Sequence, residues 1–87
     1  MNEKQRAGIR AAIINNLTKF GPAQSFFELS DPVRSCAALE GINPIIKTQW
    51  IKQVYAEMME AGEIVESPMF RATCSRDKPF TVIRLAA

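Results

Sequence analysis

Gly21-Pro22, Gly41-Ile42-Asn43-Pro44 and Gly62 cut this 87-residue chain into short stretches. Glycine reaches the left-handed backbone that closes a helix, and proline cannot continue the helical hydrogen-bond ladder. Short isolated helices are marginal in water, so these pieces must share one core. The length fits a single domain over 1–87 and excludes a multidomain enzyme. At 47% hydrophobic and 23% charged, the composition is that of an ordinary soluble globular domain. A chain this short buries only ~60% of the surface its unfolded form exposes, so a partner or second copy would add stability.

In the first stretch Ile9, Ile13, Leu17 and Phe20 recur at helical spacing, which predicts an amphipathic helix over 2–20 with those four side chains inward. Ala23 to Leu29 reads as a short extended or turn segment pinning that helix to the next. Ser30-Asp31-Pro32 is a helix-start signal and predicts a second short helix that turns Val33, Cys36, Ala37 and Leu39 inward and ends at Gly41. The same grammar follows at Asn43-Pro44, predicting a third helix over 44–61 that Gly62 closes.

At ~100° per residue, Ile46, Trp50, Val54 and Met58, with Ile51 beside them, form the core stripe of this third helix. Thr48, Gln49, Lys52, Gln53, Ala56 and Glu60 fall on the opposite face, hydrogen-bonding groups gathered toward its N-terminal half. After Gly62 the period changes. Glu63 to Glu66 and Phe80 to Leu85 are rich in β-branched residues and read as a pair of strands, and Met69 to Cys74 could extend the first. The connection over 67–79 has a polar, basic tip at Ser75 to Pro79.

The chemistry-bearing residues exclude more than they offer. There is no histidine, and Cys36 and Cys74 lie far apart without a CxxC, so neither a zinc site nor thiol catalysis is expected. Both cysteines read as thiols of a reducing cytoplasm, with no leader segment visible. Four glycines form no phosphate-cradling loop. No enzyme activity, metal or cofactor is expected. No apolar run approaches the ~18 residues a membrane helix needs, so no membrane partner is expected.

The order helix, spacer, helix, three-residue turn, long helix and hairpin resembles the winged helix-turn-helix superfamily. The resemblance spans nearly the whole chain. Its most specific piece is the run Trp50-Ile51-Lys52-Gln53-Val54-Tyr55-Ala56-Glu57-Met58-Met59-Glu60-Ala61-Gly62-Glu63-Ile64-Val65, which looks like the end of a recognition helix, a glycine break and the first strand of a wing. It implies an α+β winged-helix fold: a three-helix core followed by a C-terminal β-hairpin wing.

The function this implies is sequence-specific binding of double-stranded DNA and transcriptional regulation, as in small regulators of phages and mobile elements. Thr48, Gln49, Lys52 and Gln53 would read the major groove, with Lys47 on a backbone phosphate. Arg71, Arg76 and Lys78 of the wing would contact phosphates or the minor groove. A homodimer on a pseudo-palindromic site would raise specificity.

Two departures set an alternative beside this reading. The third helix has no arginine, and the stretch from 21 to 46 is net acidic through Glu28, Asp31 and Glu40. If those acids share the surface of Lys47 and Lys52, a winged-helix module that binds a protein, a small inhibitor or adaptor of a larger complex, is the better expectation.

Overall fold

The computed structural model describes residues 1–69 and 80–86. The described residues form an α+β arrangement of three α-helices followed by two antiparallel strands: α1 (Glu3–Phe20), α2 (Phe26–Val33), a 3₁₀ turn (Ala37–Leu39), α3 (Pro44–Glu60), β1 (Ile64–Met69) and β2 (Phe80–Leu85). Helix α1 lies at the centre, packed against α2, the 3₁₀ turn, α3 and β2.

The ends of α1 are where the sequence places them. The Asn2 side chain accepts from the Gln5 amide at 2.8 Å, and the Gln5 side chain accepts from the Asn2 amide at 3.0 Å, a reciprocal cap that satisfies two orphan donors. Gly21, at φ 76°, ends the helix and donates to Leu17 O. Ile9, Ile13 and Leu17 are buried as expected, but Phe20 is 68% exposed. It stands in the last turn, beyond the reach of the core, with the Lys19 ammonium 5.3 Å from its ring centroid.

The second helix corrects the sequence reading. It begins at Phe26, not at the Ser30-Asp31-Pro32 signal, because Ser25 caps it: the Ser25 hydroxyl accepts from the Glu28 amide at 3.1 Å, and the Glu28 carboxylate accepts from the Gln24 amide at 3.0 Å. Pro32 therefore sits inside the final turn, where its missing N–H costs one bond, and the helix ends one residue later at Val33. Val33 and Leu39 are buried, Cys36 is half-buried, and Ala37 is exposed rather than inward. The short extended segment before α2 is real but reduced to one residue. Ala23 and Ile83 exchange two backbone hydrogen bonds of 2.8 Å, so Ala23 pairs with β2.

Helix α3 starts at Asn43, whose side chain accepts from the Ile45 amide at 2.9 Å, with Pro44 in its first turn. Its buried residues are Ile51, Val54 and Met58, while Trp50 is half-buried and Ile46 is 39% exposed. The core stripe is thus rotated by about one residue from the expected one, and Lys47, not Ile46, stands a turn before Ile51. Gly62 at φ 76° turns the chain into β1, which pairs with β2 from Ile64 opposite Leu85 to Met69 opposite Phe80. Ser67, Pro68 and Met69 belong to β1 rather than to the connection expected over 67–79, the extension to Met69 as anticipated, because their backbones pair with Val82, Thr81 and Phe80; 70–74 lie outside the described residues. Ile64, Ile83 and Leu85 meet the helical core.

Two ion pairs lock α1 to the rest. Arg10 bonds Glu63 through both nitrogens of its fork, Nε at 2.8 Å, and Arg6 Nε lies 3.1 Å from Glu57. The hydrogen bond from Arg10 holds the Glu63 carboxyl below its usual range. This pair's stabilisation is therefore present above the ordinary carboxylate pKa and is lost as pH falls through the depressed one.

A close approach tests the packing of α1 on the 3₁₀ turn. A Cβ on Gly8 would fall 2.5 Å from Ala38 Cβ. Alanine gains about 1 kcal/mol of helix propensity over glycine, but overpacking costs about 1–3 kcal/mol and Ala38 has no flexible end to move. Gly8→Ala is expected to lower stability in urea, and Ala38→Gly added to it to restore the midpoint.

Candidate nucleic-acid interface

The outer face of α3 is set by the packing of its inner one. With Ile51, Val54 and Met58 inward, Ile45, Gln49, Lys52, Gln53 and Ala56 are exposed to solvent. From Pro44 to Ala56 the helix carries two lysines and no acid; the first carboxylate is Glu57. The N-terminal turn also bears the positive end of the helix dipole.

The sequence-predicted residues are not equivalent. Gln49, Lys52 and Gln53 share the exposed face, with the Gln53 amide 3.5 Å from the Glu57 carboxylate. Thr48 is half-buried and its hydroxyl donates back to Pro44 O at 3.1 Å. Lys47 points away from this face: its ammonium donates to Arg34 O, just past the end of α2, at 3.4 Å, which is how a lysine is accommodated beside the core stripe. Arg71, Arg76 and Lys78 lie outside the described residues, as does Cys74.

The acidic residues divide. Glu28 and Asp31 border a depression on α2 with Phe27 and Arg34, and the Glu28 carboxylate accepts from the amide of Gln24, which lines a second depression together with Lys52. Glu40 lines a separate depression with Lys47, Cys36 and Arg34. Lys47 thus has an acidic neighbour, and Lys52 shares its depression with Glu66, so neither lysine of α3 stands on a purely positive surface. On α1, which the residue count makes basic, Arg6 and Arg10 are paired with Glu57 and Glu63.

Tyr55 fixes how α3 sits on the strands, a role the sequence did not signal. Its ring meets Phe26 of α2 edge to face at 5.3 Å, and its hydroxyl donates to Glu66 of β1 at 2.7 Å. Together with Lys52 and Ile83 these side chains line an open depression of about 390 Å³ between α3, the strands and the start of α2. Burial first, then the hydrogen bond to Glu66, pushes the Tyr55 phenol well above its ordinary range. Tyr55 is the one tyrosine in the chain, so an absorbance titration reads it alone. The phenolate signal is expected to stay flat through pH ~10, where a free tyrosine is half ionised. The stabilisation is full below the unfolded phenol pKa and is lost as pH rises through the folded one.

Among the described residues no group of histidine, cysteine and carboxylate side chains could hold a metal, and no helix is long and apolar enough to cross a membrane. No protein-family model, curated protein or solved structure matches the chain.

Proposed function

We propose that this chain is a winged-helix DNA-binding protein that regulates transcription, with α3 reading the major groove and the connection over 70–79 acting as the wing. The observation that carries the reading is the outer face of α3, exposed, capped at its start and free of acid over Pro44 to Ala56. The order of elements supports it, as does Ala23, which gives β2 a second neighbour and anchors the strands to the start of α2. Gln49 and Gln53 suit adenine, whose N6 and N7 a side-chain amide bonds in bidentate fashion, and Lys52 suits guanine or a phosphate. A module this small contacts few base pairs, so two copies on a pseudo-palindromic site are the working form.

The test is binding to a labelled random-sequence duplex at ~50 and ~200 mM salt, beside the variant with Arg71, Arg76 and Lys78 all changed to alanine. Each lost phosphate contact lowers the slope of log affinity against log salt by about 0.9, so the triple variant is expected to flatten it by about 2.7. Absence of binding at the lower salt overturns the reading.

The second reading, a protein-binding module, is favoured by Phe27, which is 76% exposed beside Glu28 and Asp31. On that reading Phe27→Ala abolishes capture of the partner; on the DNA reading it leaves duplex affinity unchanged.

A further inference from the structure

The first turn of α3 breaks the usual rule for a solvated helix end. Pro44, Ile45 and Ile46 are three consecutive exposed apolar residues, Ile45 at 70%. Single exposed apolar side chains are ordinary, but a run of three is a defect unless something covers it. The turn also lacks the aspartate or glutamate that the helix dipole would favour there. Branched isoleucine is a mediocre helix former, so local propensity does not explain it either. The Asn43 cap holds the turn in place, which makes the exposure a property of an ordered surface.

We infer that Ile45 is a specificity-determining residue that packs against the 5-methyl group of thymine in the major groove. The inference rests on the DNA-binding reading and names what that site recognises. Ile45 heads the stripe that continues through Gln49 and Lys52, one helical turn at a time, so its side chain reaches the same groove as they do. The first three turns of α3 carry no acid and begin at the positive end of the helix dipole, which suits a polyanion and disfavours an acidic protein. Thymine is the base that presents an apolar group in the major groove, and its partner adenine is the base that a glutamine amide pairs with. Ile45 and Gln49 therefore read A·T pairs together, the isoleucine through the methyl and the glutamine through N6 and N7.

The experiment uses the duplex enriched from a random-sequence DNA pool by the full chain. Each thymine is replaced in turn by deoxyuridine, which keeps every hydrogen bond and loses only the methyl. At one position the replacement is expected to weaken binding about four-fold, the worth of one buried methyl group. Ile45→Ala is expected to weaken binding to the thymine duplex by a similar or larger factor and to make the two duplexes bind alike, whereas Ile45→Val keeps most of the difference. Ile45 is solvent-exposed, so equal thermal melting of parent and variant verifies the fold.

Tight binding that no uracil substitution changes, or an enriched site without thymine, overturns the role of Ile45 and leaves DNA binding standing. Failure to bind any duplex overturns both. A shift of Ile45→Ala from dimer to monomer in sedimentation, with the uracil difference intact, assigns the residue to a contact between copies and overturns the inference.

Discussion

Ile13→Ala is expected to remove a large share of the protein's stability. Ile13 is fully buried in the middle of α1, the helix that contacts α2, the 3₁₀ turn, α3 and β2. Truncating a buried isoleucine to alanine costs about 2–5 kcal/mol, since the lost transfer energy adds to that of a cavity its neighbours only partly fill. A domain of this length has about 4–13 kcal/mol of total stability, at ~0.05–0.15 kcal/mol per residue. The substitution therefore removes a large share of it. Ala11→Ser, on the exposed side of the same helix, is expected to cost under about 0.5 kcal/mol. Denaturant unfolding of the two variants reads the difference, and a loss below about 1 kcal/mol for Ile13→Ala would contradict the central place given to α1.

The second large effect concerns recognition. Gln49→Ala with Gln53→Ala is expected to reduce affinity for a selected DNA site about 30-fold or more, since each bidentate base contact contributes about 1–3 kcal/mol of discrimination. Affinity for random-sequence duplex and the salt slope are expected to stay as they are, because neither amide carries charge. Both side chains are exposed, so the fold is not at stake. Equal affinity of parent and variant for the selected site would remove base reading from α3.

Capping chemistry made the end of α1 and both limits of α3 legible from the sequence, because Gly21, Asn43-Pro44 and Gly62 each carry a local physical reason to start or stop a helix; the reciprocal cap of Asn2 and Gln5 went unread. The start of α2 was not legible, because two cap signals compete within six residues. Ser30-Asp31-Pro32 is the more conspicuous, but Ser25 with Glu28 lets Leu29 and Val33 enter the core together. Nothing in an alanine announces that residue 23 pairs with β2; that bond exists because α1 and β2 bring the two segments together.

The site divides the same way. The exposed positions Gln49, Lys52 and Gln53 follow from helical periodicity. The inward turn of Lys47 depends on Arg34, a residue in another element, and Ile46, which periodicity reads as core, is 39% exposed because the inner face of α3 is centred on Ile51.

The claim that the outer face of α3 is a DNA interface is tested most directly by titrating the isotopically labelled 9.7 kDa protein with a short duplex and following every backbone amide by NMR. The largest shifts are expected at Ile45, Gln49, Lys52 and Gln53, with the exposed side of α1 at Ala7, Ala11 and Asn15 undisturbed. Shifts confined to α1 or to the surroundings of Phe27, or none at all, would contradict the account.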